Sequence, residues 1–281
     1  MERSWREAAV AKTLGPYRLG AVLGEGTMGV VYKATRSDGE VVALKVLKPA
    51  LAEDETYRQR FRHETRAAQE VQHPHLVPVL DAGVADGRAY LAVAYVAGRS
   101  LAEQLQAEGP LAVIDVARIA AQLGAALDAL HRRGLVHRDV KPANVMVAKD
   151  AGAALTDFGL AKGTGYTVLT RAGQVVGTMD YLAPELIRGG SATPATDIYA
   201  LGCVLVECLT GAPPFGHRDL FEVGAAHLDE IPPDPSEARP DVSAAVSEVV
   251  LLALAKEPDA RPATGTMYAH LLRAAAASAS R

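Results

Sequence analysis

The segment His137-Arg138-Asp139-Val140-Lys141-Pro142-Ala143-Asn144, with Asp157-Phe158-Gly159 beginning eighteen residues after Asp139, concentrates a base, two cations and two hard oxygen donors. Asn144 and Asp157 offer the amide and carboxylate oxygens that Mg²⁺ takes together with substrate phosphates. Asp139 lies two residues before Lys141, so one loop holds a carboxylate for a hydroxyl proton and an ammonium for a phosphoryl group. That set suits phosphoryl transfer to an alcohol. On its own Asp139 reads as a turn cap; the combination carries the chemistry. His137 beside Asp139 makes no triad, because no Ser or Cys stands in a nucleophile motif. Packing is the expected role of His137 and Phe158, and His73 and His75 around Pro74 lack metal-ligand spacing.

A phosphoryl donor needs its own cradle. Leu23-Gly24-Glu25-Gly26-Thr27-Met28-Gly29-Val30-Val31 sets three glycines between apolar runs. Such a pattern alone is weak. Here β-branched Val30-Val31 runs on into Tyr32-Lys33-Ala34, which indicates strand–loop–strand and not the strand–helix of a dinucleotide fold. Glycine amides approach phosphates closely because no side chain intervenes. In the next strand, Val42-Ala43-Leu44-Lys45, alternation puts Ala43 and Lys45 on one face. Between Thr56 and Val71, the residues Phe61, Glu64, Ala68 and Val71 share a helical stripe that places Glu64 on the buried side. A buried acid requires a cation, and Lys45 is the expected partner, held by Glu64 against two phosphates.

The elements that position these residues fall into two groups. From Tyr17 to Tyr95 apolar runs at Leu19–Leu23, Val30–Tyr32, Val41–Val46, Val77–Leu80 and Tyr90–Tyr95, with turns at Asp38-Gly39 and Asp86-Gly87, predict antiparallel hairpins. After Ala97-Gly98 helices dominate. Val116, Ala120, Leu123, Leu127 and Leu130 give an amphipathic helix within Leu111–His131. Val145–Val147 and Ala153–Leu155 predict a small hairpin flanking the chemical residues, and the hinge between two lobes falls near Ala94–Gly98.

With 281 residues, 49% of them hydrophobic, the chain can bury one large core or two moderate ones. A net charge of −4 without a basic stripe argues against a nucleic-acid partner. Cys203 and Cys208 lie in the apolar run Ile198–Leu209 and read as buried reduced thiols. That run contains Glu207 and is well short of the roughly 20 residues that span a bilayer, so no membrane segment is expected. The N-terminus lacks a signal-peptide core, which predicts a cytoplasmic location. The Ala- and Ser-rich stretch Ala274–Arg281 reads as a frayed helix end or the start of a linker.

The order and spacing of these motifs resemble protein kinases, over about Tyr17 to Leu272 and through Ala183-Pro184-Glu185. The resemblance implies a bilobal α+β kinase fold. Its parts would be an N-terminal extension over 1–16, an antiparallel N-lobe with one key helix over 17–95, a mostly helical C-lobe over 96–272, and a tail or linker over 273–281. It also implies ATP, with Mg²⁺ or Mn²⁺, and protein substrates. Leu23, Gly24, Glu25, Gly26, Thr27, Met28, Gly29 and Val30 would form the phosphate loop. Val31 and Ala43 would cover the adenine from above and Met146 from below, with Val93 as gatekeeper. The Ala94 carbonyl and Val96 amide, on either side of Tyr95, would meet the base; the family often has Glu at the place of Ala94, but the contact is a main-chain one. Asp139 becomes the catalytic base, Lys141 a neutraliser of phosphoryl charge, Lys45–Glu64 the phosphate clamp, and Asn144 with Asp157 the metal ligands.

Asp139-x-Lys141-Pro142-x-Asn144, and Gly177-Thr178 before Tyr181, resemble Ser/Thr kinases. The polar span from Gly159 to Ala183 reads as a functional loop. Similarity to bacterial kinases implies autophosphorylation there at Thr170, then Thr167 and Thr164, with the phosphate paired to Arg138 and Lys162. Thr178 would contact the catalytic loop, Glu185 would pair with Arg261, and Asp197 would brace the catalytic-loop backbone. The catalytic loop and Pro213-Pro214-Phe215 most resemble the membrane-linked Ser/Thr kinases of actinobacteria, a resemblance that allows the chain to be the cytoplasmic domain of a membrane-anchored receptor. Those relatives form back-to-back N-lobe homodimers, commonly with Arg where this chain has Pro16; Asp81 is a candidate contributor. A pseudokinase and a small-molecule kinase are the alternatives. The complete set Lys45, Glu64, Asp139, Asn144 and Asp157 opposes the first, and the Thr-rich loop with Ala183-Pro184-Glu185 opposes the second.

Overall fold

Strand alternation closes six strands into one antiparallel sheet in the computed structural model, which describes residues 13–26, 29–48, 63–148, 152–157 and 179–278. The chain divides into two units, Met1–Gln72 with Val77–Ala97, and His73–Leu76 with Gly98–Arg281. In the first unit β1 (Thr13–Leu14), β2 (Tyr17–Glu25), β3 (Gly29–Arg36), β4 (Val41–Leu47), β5 (Val79–Ala85) and β6 (Arg88–Ala94) lie in the order β1-β2-β3-β4-β6-β5. One face packs Tyr17, Val30, Tyr32, Ala34, Val42, Leu44, Val46, Tyr90 and Ala92 into a core. Register pairs Val31 with Lys45, Lys33 with Ala43, and Ala43 with Val93, so these residues share the opposite face.

Asp86 and Gly87, with φ of 50° and 71°, form the two-residue turn that the Asp-Gly signal predicts. Strand β1 lies in the stretch read as an extension; two residues are too few to show a period, yet Leu14 is 2% exposed and joins the core. Strand β2 carries a bulge: Leu19 pairs with Ala34 and Val22 with Tyr32, which leaves Gly20 and Ala21 opposite Lys33 alone. A Cβ on Gly20 would stand 2.7 Å from the Lys33 carbonyl oxygen, so this approach requires glycine. Residues 63–69 form helix α1, where Thr65 and Ala68 are buried and Glu64 is half-buried. Phe61 lies outside the described residues.

The second unit holds β7 (Arg99–Ser100), α2 (Leu101–Glu108), α3 (Val113–His131), β8 (Val145–Ala148), β9 (Gly152–Leu155) and α4 (Pro184–Ile187). Helices α5 (Pro194–Thr210), α6 (Leu220–Asp229), α7 (Pro235–Ala238), α8 (Ala244–Leu252) and α9 (Gly265–Ser278) complete it. The expected hairpin β8–β9 gains β7 as a third strand. His73–Leu76 belongs here because the Leu155 amide donates to the His75 carbonyl at 2.9 Å and Leu76 bridges Leu155 in parallel. All five stripe residues of α3 are buried, and α5 is buried nearly all round, Cys203 and Cys208 included as free thiols whose pKa burial pushes up. Helices α3 and α9 cross at Gly124 and Gly265, where a Cβ on Gly124 would lie 2.4 Å from the Gly265 oxygen. Asp128 of α3 caps α9, accepting from the amides of Gly265 at 2.8 Å and Thr266 at 2.9 Å. No described helix is long and apolar enough to cross a membrane.

Candidate active site

The loop that carries the chemical residues hangs from Asp197 in the first turn of α5. This carboxylate is 1% exposed and sits where the helix dipole favours negative charge. Its Oδ2 accepts the His137 amide at 2.8 Å and the His131 ring Nε2 at 2.7 Å, and its Oδ1 accepts the Arg138 amide at 2.9 Å. Two successive amides thus meet one anion, and the next backbone torsion, φ of 64° at Arg138, is left-handed. The expected brace is therefore present. His137 is fully buried; burial pushes its pKa down, which keeps the ring neutral for its 3.1 Å contact with the Thr156 carbonyl.

Asp139 gathers its neighbours. Lys141 Nζ lies 3.1 Å from Asp139 Oδ2, and Asn144 Nδ2 donates to Asp139 Oδ2 at 2.9 Å and to its carbonyl at 2.8 Å. Pro142–Asn144 forms a single 3₁₀ turn that carries Asn144 back to Asp139. With Nδ2 committed, the oxygen end of the Asn144 amide is the hard donor that remains for a cation. The Thr156 amide donates to the Asn144 carbonyl at 2.9 Å, which sets Asp157, at a left-handed φ of 61°, immediately after that tether. Asp139, Lys141 and Asn144 thus come together, with Asp157 one residue beyond a backbone tie to Asn144, and the oxygens of Asn144 and Asp157 are of the kind a divalent cation takes with phosphate.

Helix α4 is fixed from below by Arg261. Its Nη1 and Nη2 donate to Glu185 Oε1 and Oε2 at 2.9 and 2.8 Å, while Nε donates to the Ala255 carbonyl at 2.8 Å. The Ala195 and Lys256 carbonyls and the face of Tyr199 complete its surroundings. Burial alone would raise the Glu185 carboxyl; the hydrogen bonds and charge of Arg261, with bonds from its own amide and from Thr196, together outweigh it and hold the group below its ordinary range. Tyr181 donates to Glu207 Oε2 at 2.5 Å.

The first unit holds the residues expected to handle nucleotide. Lys45 and Glu64 are both half-buried. Of the three loop glycines, a Cβ on Gly29 would meet the Val46 oxygen at 2.0 Å, whereas Gly24 and Gly26 face open space. Packing explains Gly29; no packing constraint acts at Gly24 or Gly26. Leu23 and Glu25 are exposed. The Val30 side chain is buried in the sheet core, so the part expected of it in the loop rests on its backbone. Val31, Ala43, Val93, Ala94, Tyr95 and Val96 are half-buried, as is Met146 in the second unit. Lys33 Nζ stands 4.5 Å from the centre of the Tyr95 ring. Asp81, a candidate for a dimer contact, accepts from the hydroxyls of Tyr17 and Tyr90 at 2.8 and 3.0 Å; burial, with Asp81 second, pushes the Tyr90 hydroxyl up to about 12. Thr27, Met28, Phe158, Gly159, Lys162, Thr164, Thr167, Thr170, Gly177 and Thr178 lie outside the described residues.

Sequence reasoning missed His131, which reaches Asp197 66 residues later, and the Thr156 backbone, which meets His137 and Asn144; no local spacing signals either contact.

Residues 17–272 match the protein kinase domain family. The Ser/Thr-protein kinase PknE of Mycobacterium tuberculosis is 43% identical over 259 residues, 92% of this chain and 46% of that protein. PknH of Mycobacterium bovis is 40% identical over 260 residues, 92% of this chain and 44% of its own length. The chain spans about half the length of these curated relatives. The crystal structure of the M. tuberculosis PknI kinase domain superposes with a TM-score of 0.77 at 33% identity, covering 94% of this chain and 97% of that one. By residues, fold and relatives alike, the chain belongs to the protein kinase domain family.

Proposed function

We propose that this chain transfers the γ-phosphoryl group of ATP to serine and threonine hydroxyls of proteins, those of its own activation segment included. The observation that carries this reading is the Asp139 cluster, with Lys141 at 3.1 Å and Asn144 at 2.9 Å from the same carboxylate oxygen. Asp139 accepts the hydroxyl proton, Lys141 stands by the charge of the moving group, and Asn144 with Asp157 holds Mg²⁺ or Mn²⁺. The metal supplies charge neutralisation on the phosphates. In the first unit Lys45, paired with Glu64, holds phosphate, the loop 23–30 cradles it, and Val31, Ala43, Val93 and the 94–96 backbone receive the base. The Ser/Thr kinase names of the relatives and their 40–43% identity support the acceptor class.

Incubation with radiolabelled ATP and Mg²⁺ tests this. The wild-type chain incorporates label into threonine, and Asp139→Asn lowers the rate by about 10²–10⁴-fold. Label in neither form, with nucleotide still bound, would establish a pseudokinase; label in a small molecule alone would establish the other rival. Mass spectrometry then assigns Thr170, Thr167 or Thr164. Transfer between molecules of a homodimer predicts a rate per molecule that rises with concentration. The compartment proposed is the cytoplasm, where ATP is available, whether alone or as the inner domain of a membrane-anchored receptor.

A further inference from the structure

Segment 95–97 leaves the sheet at Ala94 and carries no strand pairing, although the base-binding role asks its main chain to present fixed donors and acceptors. The Ala94 amide is itself committed to the Pro78 carbonyl at 2.9 Å. Between Ala94 and β7, which starts at Arg99, side-chain contacts add to what holds the backbone. Tyr95, half-buried, is the first residue past the strand, and Lys33 Nζ lies 4.5 Å from its ring centre, within the range of a cation–π contact.

Lys33 is placed there by the sheet. It shares the nucleotide-side face with Ala43 and Val93 through direct register. It also stands opposite the β2 bulge, where two residues, Gly20 and Ala21, face it alone, and bulges add twist that redirects nearby side chains. Gly20 permits this: any Cβ would press to 2.7 Å from the Lys33 carbonyl oxygen. Among the described residues no carboxylate pairs with Lys33 in an ion pair, so its ammonium is not drawn elsewhere. A solvated lysine on an exposed strand would need neither the bulge nor the ring.

We propose that Lys33 is a positioning residue, aimed by the β2 bulge onto Tyr95, that ties segment 95–97 to β3 and so fixes the Ala94 and Val96 groups that receive the adenine. The nucleotide part of this inference rests on the proposed ATP-dependent activity; the tether does not.

Two measurements on the whole chain test it, with Lys33→Met, Lys33→Arg, Tyr95→Leu and the double variant Lys33→Met/Tyr95→Leu. In nucleotide-free protein, amide hydrogen exchange at Tyr95 and Val96 accelerates about two- to fivefold in Lys33→Met, the factor an exposed cation–π contact supplies. It stays at the wild-type rate in Lys33→Arg, and exchange at Leu127 in α3 is unchanged in both. Calorimetric titration then gives a weakening by the same factor for AMP and for ATP in Lys33→Met, with Tyr95→Leu adding little in the double variant. Unchanged exchange in Lys33→Met overturns the tether. A loss for ATP that exceeds the loss for AMP also overturns it, because Lys33 would then be touching phosphate. Wild-type protein that binds neither nucleotide, while exchange responds as expected, overturns the ATP-dependent activity and leaves the tether standing.

Discussion

Arg261 satisfies its guanidinium entirely inside the protein, with two bonds to Glu185 and three to main-chain carbonyls. Removing it strands a carboxylate that burial disfavours. Arg261→Met is expected to cost about 3–5 kcal/mol in denaturant titration, and Arg261→Lys, which cannot form the fork, a substantial part of that. Because the folded Glu185 carboxyl is lowered, its contribution is present above the unfolded carboxylate pKa and is lost as pH falls through the folded value. Glu185→Gln should lack that acid-side loss. His227 follows the same sign from a different cause. Burial, aided by Lys256, pushes its pKa down to about 4, so the unfolded chain takes up the proton first and stability falls as pH drops from 6.5 toward 4. His227 should account for about 2 kcal/mol lost between pH 7 and pH 5. Urea melts of wild type and His227→Gln at the two pH values check this, the variant showing the smaller change. Neither site could be read in full from the chain: the Glu185–Arg261 pair followed from the family resemblance, whereas nothing in the residues around His227 signals the Tyr199 hydroxyl 2.7 Å from its Nδ1.

At the scale of elements, the α3–α9 crossing depends on backbone touching backbone. Gly124→Ala should destabilise by about 1–3 kcal/mol or more, since the new methyl meets main chain that cannot rotate away. Differential scanning calorimetry of the variant checks it. The α3 stripe was plain in the sequence because nineteen residues allow several turns of apolar repetition. Strands of the first sheet were plain because Val42, Leu44 and Val46 are buried while Ala43 and Lys45 are not. Strands β1 and β7, two residues each, have no period to show and exist only through their partners. Val30 marks the other limit: a motif places a residue beside the ligand, but the pleat decides which face its side chain takes.

At the scale of the whole molecule, the order of motifs revealed the family, while the pairings that shape the site come from long separations. Ligand binding should be visible globally: an ATP analogue with Mg²⁺ at a hundredfold its Kd stabilises by about 2.7 kcal/mol and should raise Tm by roughly 5–10 °C in a chain of this length. Asp157→Ala should remove the Mg²⁺-dependent part, as a thermal-shift assay with and without metal would show. The Asp197 tether also sets a clock. It binds amides 60 and 59 residues earlier, so the His137 and Arg138 amides lack their carboxylate until α5 has been made and docked. At a synthesis rate of about 5–20 residues per second, that interval is roughly 3–12 s. A nascent chain already displaying Asp139 would stay catalytically silent on the ribosome, and activity would begin only when the helix that arrives later takes hold of the loop that came before it.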